Sequence, residues 1–249
     1  MTPDTIVVIS DGVMRIAMNR PAKKNALTGP MYDAMTSALE KADASDEIRA
    51  VVIEGAGGAF TAGNDLADFL ATATRGEENR AGHFIRKIAT LDTPIVAAVD
   101  GVAVGVGTTM LFHCDLVYAT PSAKFRMPFL DLGLVPEAAS SILAPARFGM
   151  ARASEYILLA EAFGPNEAKD LGLVNAIVAP GALEATAMEA ARKLAAKPAG
   201  ALRAARRLMR GDRKDIEAAI ERESAAFAKA LTSPEAKAAF TAFLNRTKG

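Results

Sequence analysis

The feature that most constrains this chain is a pair of unbroken apolar runs, Ala50-Val51-Val52-Ile53 and Ile95 to Val99, with helix-forming sequence between them. A strand that is apolar at every position, not at alternate ones, suits a sheet covered on both faces. Joining two such strands through a helix predicts a parallel crossover unit, because a parallel pairing needs a long returning connection. The core is therefore expected to be α/β.

The flanking sequence extends this pattern. Thr5 to Ile9 and Val13 to Met18 are β-branched and apolar runs with Asp11-Gly12 between them, the strongest short hairpin signal, so the chain should open with an antiparallel pair. After the polar loop NRPAKKNAL, Thr28 is placed to cap a helix with Pro30 in its first turn, and Met31, Met35, Ala38 and Leu39 share one face as far as about Asp43. A second helix is expected from about Glu77 to Leu91, and a short strand over Leu116 to Ala119. Beyond Glu137 only Leu173 to Val178 reads as extended. Helices are expected near Ala138 to Phe148, Ala151 to Leu159, Pro165 to Asp170, Leu183 to Ala196, Gly200 to Arg210, Lys214 to Leu231 and Pro234 to Asn245, the last capped by Ser233. This divides the chain into an α/β core over residues 1–180 and a helical region over 181–249.

Composition narrows the classes of function. With 249 residues and 51% hydrophobic content the chain can bury a full core, and its 29 basic and 29 acidic residues leave no overall field for a nucleic-acid backbone or an anionic membrane. The basic run Arg203 to Arg213 has no interleaved aromatic residue, which favours a solvated helix face or an assembly contact over nucleic acid. Cys114 is the sole cysteine and reads as a core thiol; His83 and His113 lack metal-ligand spacing. No apolar run suits a span of about 20 residues. No signal peptide is seen, and the C-terminal NRTKG is not a peroxisomal tripeptide, so a cytoplasmic location is expected.

Two glycine-containing turns, FTAGNDL over Phe60 to Leu66 and GVAVGVG over Gly101 to Gly107, each follow a buried strand. Glycine permits close approach to main-chain N–H groups, and such groups at a helix start suit developing negative charge. Either turn alone reads first as a packing device that brings a helix close to a sheet.

In order and spacing, the NRPxxxNAL loop, the FxxGND turn, the DGxAxGxG turn, the CDxxxA strand and the AxxxGLV segment from Ala168 to Val174 resemble the crotonase superfamily, over essentially Ile6 to Arg246. The resemblance implies a spiral of ββα units with a helical C-terminal region that forms a trimer or hexamer and covers the acyl-CoA site. It also implies an oxyanion hole for a thioester carbonyl. Matched residue by residue, the hole donors are the backbone N–H groups of Asn64 and Val106, with Val106 where the family usually has glycine. The implied acyl-CoA contacts are Lys23, Lys24, Ala62, Asn64, Asp65, Leu66, Gly105 and Val106. No metal or other cofactor is implied, coenzyme A being part of the substrate.

The two glutamates that activate water in the family's hydratases would fall on Thr109 and Phe129, and neither side chain can act as a carboxylate base. The segment DLGLVPEAASS instead places Glu137 where hydratases commonly have glycine, and is similar to the peroxisomal-type Δ3,Δ2-enoyl-CoA isomerases, which carry one acid/base glutamate in such a PE motif. Leu132, Leu134 and Val135 are placed to raise its carboxyl pKa. The competing reading of Glu137 is a carboxylate at a helix N-terminus, favoured by the helix dipole. Two other functions fit the same motifs: a hydratase with a rearranged water site, and an acyl-CoA-binding homologue without turnover.

Overall fold

The structure is a computed structural model that describes residues 3–69 and 79–246. The hairpin forms as expected. Strands β1 (Thr5–Ser10) and β2 (Val13–Met18) pair antiparallel in a register that sets Ser10 opposite Val13. Asp11 and Gly12 both have positive φ, 52° and 74°, as a tight two-residue hairpin demands.

Helix α1 (Gly29–Ala44) then returns the chain to β3 (Ala50–Gly55), and α2 (Arg80–Thr90) returns it to β4 (Ile95–Val99). Each strand pairs parallel with its predecessor in the sheet. Next come β5 (Val102–Val104), the single turn α3 (Val106–Thr109), β6 (Leu116–Ala119) and β7 (Lys124–Arg126). Six strands make the main sheet in the order β1-β2-β3-β4-β6-β8, where β8 is Ala176–Ile177, and β5 pairs parallel with β7 in a second small sheet.

The unbroken apolar strands are covered on both sides. Val51, Ile53, Ile95, Ala97 and Val99 point into the large core shared with α1 and α2, while Ala50, Val52, Val96 and Ala98 meet Leu183, Ala187, Met188 and Ala191 on the other face. Those four belong to helix α7 (Leu183–Ala195), so the sheet's packing partners run beyond residue 180.

The intervening helices are α4 (Ser140–Phe148), α5 (Met150–Leu158) and α6 (Pro165–Asp170), and the C-terminal ones are α8 (Ala199–Arg210), α9 (Arg213–Leu231) and α10 (Pro234–Arg246). Ser233 Oγ accepts from Ala236 N at 3.1 Å, which is the expected cap of α10. The basic run on α8 and α9 is neither fully solvated nor free. Arg206 and Arg210 reach Asp115 at 2.7 and 3.0 Å, and Arg207 and Arg213 pair with Asp92. The run fastens the C-terminal helices to the loops that precede β4 and β6.

Several local expectations are corrected. Thr28 is the residue before α1, but its hydroxyl makes no cap; Asp68 Oδ2 accepts from Gly29 N instead at 2.7 Å. The glycine-rich turn contains β5, and β7 has no sequence signal, since three residues are too few to display a period. Leu173 and Val174 are not strand. Their amides close the end of α6 on the Ala168 carbonyl, which leaves two residues for β8. The second helix was expected from Glu77; that start lies outside the described residues, and α2 runs from Arg80. Helix α4 begins at Ser140, not Ala138, because Ala138 and Ala139 adopt φ of 58° and 57°.

Candidate active site

The two glycine-containing turns converge. Thr61 N donates to Val102 O at 2.9 Å and Val104 N to Thr61 O at 3.0 Å, so the FTAGND turn is joined to β5 by an isolated parallel bridge at Thr61. Gly63 (φ 85°) lies so close that an added Cβ would sit 2.7 Å from Val104 O, which is why only glycine fits there.

The NAL loop supports the same turn from the other side. Leu27 N donates to Gly63 O, Asp65 N to Leu27 O and Ala62 N to Lys24 O, each at 2.8 Å. Asn25, fully buried with φ 56°, ties this loop together: its Nδ2 donates to Ala56 O and Ala59 O at 2.8 and 2.7 Å, and its Oδ1 accepts from Arg20 N at 2.7 Å.

These bonds leave particular amides free. Around α3, Gly105 N donates to Arg126 O, and Thr108 N and Thr109 N both donate to Gly105 O. Among the described residues, the N–H groups of Asn64 and Val106 have no acceptor. Val106 is the first residue of α3, where the helix ladder gives its N–H no partner. Gly105 before it, with φ 57°, turns the chain into that helix.

Glu137 is brought to the same place from the far side of β7. Thr109, one turn after Val106 and fully buried, donates its hydroxyl to Glu137 Oε1 in a short hydrogen bond. The family position of the first hydratase glutamate thus holds the hydrogen-bond partner of Glu137. Phe129, at the second position, is packed in the core at 6% exposure. Tyr32, from α1, is the remaining neighbour. Its hydroxyl donates to Asn64 Oδ1 at 2.5 Å, and its pKa is pushed well up, first by burial and then by the charge of Glu137.

Loss of solvation raises the Glu137 carboxyl from its ordinary 4.5 to about 7; the Thr109 hydrogen bond opposes the rise and the charge of Glu223 adds to it. The alternative reading of Glu137 as a helix cap is corrected here. Glu137 lies three residues before α4, and its side chain turns to Thr109, while Glu223 from α9 takes the amides of Ala139 and Ser141.

A stability prediction follows from the sign of this shift. With a folded pKa above the unfolded one, Glu137 contributes stability below about 4.5 that is lost as pH rises through about 7. Glu137→Gln never ionises, so it should be more stable than the parent at pH 8, by roughly 1–3 kcal/mol and with a higher melting temperature, and the gap should shrink towards pH 5. Thermal melts of both proteins across that range would refute this by a constant gap.

The other residues singled out from the sequence fall into two groups. Ala62, Leu66 and Gly105 adjoin the converging turns. Asp65 caps the helical turn that begins at Leu66, accepting from Ala67 N and Asp68 N at 3.2 and 3.3 Å, and is ion-paired to Arg20 at 2.7 Å. Burial would raise its pKa, but the Arg20 hydrogen bond and those amides hold it below the usual carboxylate value. Lys23 and Lys24 are exposed at the rim, on a loop whose Lys24 carbonyl is bonded to Ala62.

His113 and Cys114 are buried below the site. Desolvation pushes His113 down to about 4 and Cys114 up to about 12, so neither is charged at neutral pH. Among the described residues, no group of three His, Cys, Asp or Glu side chains is arranged to hold a metal, and no helix is long and apolar enough to cross a membrane.

Sequence reasoning did not find Asn25, Tyr32 or Glu223. Asn25 carried a signal, an amide at a fixed place in the NAL loop. Tyr32 lies next to Met31 on α1 but outside the helical stripe identified there, and Glu223 sits 82 and 84 residues from the amides it accepts from.

An α/β fold that brings two free turn amides close to a protonatable, partly buried carboxyl suits carbonyl chemistry. Residues 8–249 match the model of the enoyl-CoA hydratase/isomerase family, and the chain belongs to that family. Enoyl-CoA delta isomerase 2 of Rattus norvegicus is 33% identical over 249 residues, covering 97% of this chain and 63% of the rat protein, so the chain spans less than two thirds of that relative. Short-chain-enoyl-CoA hydratase of Clostridium acetobutylicum is 30% identical over 100% of this chain and 97% of its own. The crystal structure of an enoyl-CoA hydratase/isomerase from Pseudoalteromonas atlantica T6c superposes with a TM-score of 0.92 at 39% identity, over 98% of both chains.

Proposed function

We propose that this protein is an enoyl-CoA isomerase that moves a Δ3 double bond of an acyl-CoA thioester to Δ2. The observation that carries the reading is the Thr109–Glu137 hydrogen bond, which sets a single protonatable carboxyl one helical turn from the free Val106 amide. The thioester oxygen sits between the N–H groups of Asn64 and Val106. Glu137, as carboxylate, takes a proton from C2; the negative charge moves onto that oxygen and is stabilised there as a dienolate. Glu137, now protonated, returns the proton to C4 and the double bond lies at C2–C3. One carboxyl suffices, and a pKa near 7 suits a group that must first accept and then give back a proton.

Water addition would need a second acid/base group, and the family positions for it hold Thr109 and Phe129. The acyl-CoA is taken to enter past Lys23 and Lys24, with Ala62, Asp65, Leu66 and Gly105 lining its path and no further cofactor. Apolar side chains on the outer surface, Leu208 and Met209 on α8 at 85% and 87% exposure, support assembly as a homotrimer or hexamer, which light scattering would refute by finding a monomer.

The direct test is incubation with 3-enoyl-CoA esters of several chain lengths, following formation of the conjugated 2-enoyl product by absorbance. Conversion is expected without hydration of crotonyl-CoA. Hydration at a comparable rate would replace the isomerase reading with a hydratase, and binding without turnover of any ester would leave an acyl-CoA-binding protein.

A further inference from the structure

The turn that follows Glu137 is unusual for its residues. Ala138 and Ala139 are consecutive alanines at φ 58° and 57°, a left-handed conformation that an L side chain adopts reluctantly and keeps only where its surroundings impose it. Two buried side chains impose it. Glu223 on α9, 7% exposed, accepts from Ala139 N through Oε2 at 2.6 Å and from Ser141 N through Oε1 at 2.9 Å. His113 Nε2–H donates to Ala138 O at 2.8 Å, since a carbonyl can only accept.

The helix that carries Glu223 also reaches the other half of the site. Phe227, one turn further along α9, stacks edge-on against Phe69 at 6.1 Å, in the helical turn that follows Asn64 and Asp65. One helix is therefore keyed to both segments that must keep register, the turn with the free Asn64 amide and the turn with the carboxyl.

We propose that Glu223 is the positioning residue of the proton-transfer site, clamping the Ala138–Ala139 turn so that Glu137 stays on Thr109 and in line with the two amides. This rests on the reading of Glu137 as the base. Glu223 does not touch the substrate; it acts through Glu137. Its negative charge is also one cause of the raised Glu137 pKa.

The test compares Glu223→Gln and Glu223→Ala with the parent in 3-enoyl-CoA turnover, each with and without Ala139→Gly. The amide of Glu223→Gln faces a backbone donor with a donor of its own and carries no charge. It should lower kcat about 10- to 100-fold, the scale of a misplaced catalytic group, while KM stays within about threefold. The acid limb of the pH profile should move to lower pH as the like charge disappears.

Glycine adopts the left-handed region freely, so Ala139→Gly should restore much of the kcat lost in Glu223→Ala. A folded Glu223→Gln with parental kcat and pH profile would overturn the proposal. So would a loss of activity that only tracks the folded fraction by circular dichroism and is not rescued by Ala139→Gly. A readout without turnover separates this from failure of the isomerase reading: in the Glu223→Gln background, the pH-dependent stability gap opened by Glu137→Gln should shift to lower pH. An unshifted gap counts against Glu223 even if the substrate class is different. A shifted gap with no isomerase activity keeps the clamp and rejects the substrate.

Discussion

Glu137→Gln should retain the fold and the affinity for acyl-CoA while lowering 3-enoyl-CoA turnover by about 10²- to 10⁴-fold, the usual worth of a positioned acid/base group. The amide has the shape of the carboxyl and can still receive the Thr109 hydroxyl, so the Thr109–Glu137 contact and the turn behind it have no reason to move. What is lost is the ability to take a proton. Among the described residues, no second carboxylate stands at the site to replace it: Glu223 has both oxygens bonded to backbone amides, and Asp65 is occupied by Arg20 and its own cap. Calorimetric affinity for an acyl-CoA and turnover should be measured on one sample. Turnover at the parental rate would remove Glu137 from the mechanism, and loss of both binding and folding would make its role structural.

The second large effect is expected at a main-chain atom. Val106→Pro should reduce turnover by about 10²- to 10³-fold, the range for removal of one oxyanion donor, whereas Val106→Gly should stay within about tenfold of the parent. The comparison is informative because Val106 is the first residue of α3, where proline is tolerated by a helix and where the N–H takes no part in the ladder. The proline therefore removes the donor without removing a structural hydrogen bond. The side chain itself is 2% exposed and lies in the core, so Val106→Gly tests packing at the same position with the donor kept. Equal activity of the two variants, with melting temperatures that match, would take the oxyanion role away from this turn.

The two effects differ in how they depend on distant parts of the chain. The amide donors belong to turns held by main-chain pairing, Thr61 with β5 and Leu27 with Gly63. The carboxyl belongs to a turn held by α9. Changes at Glu223 are accordingly expected to affect the proton transfer, and changes at Phe227 the turn that carries the Asn64 amide.

The sequence by itself determined the secondary structure that has a long or chemically marked signal. The Asp-Gly hairpin, the unbroken apolar strands Ala50–Gly55 and Ile95–Val99, the stripe of α1 and the Ser233 cap of α10 all follow from period, turn chemistry or capping, which act over a few residues. It also pointed to Asn64, Val106 and Glu137, through the resemblance of the two glycine-containing turns and the proline-glutamate segment to the family's motifs. Only the tertiary structure decided that Glu137 faces Thr109 instead of capping α4, because its direction is set by two left-handed alanines, and the groups that impose them, Glu223 and His113, lie 84 and 25 residues away. The direction of the Glu137 pKa shift was read from its apolar neighbours, but the Thr109 and Glu223 contributions to it, the partnering of Tyr32 with Asn64 and the anchoring of the basic run on Asp92 and Asp115 were beyond sequence reading for the same reason. Desolvation and hydrogen bonding depend on which distant segments are brought together, and local spacing carries no record of that.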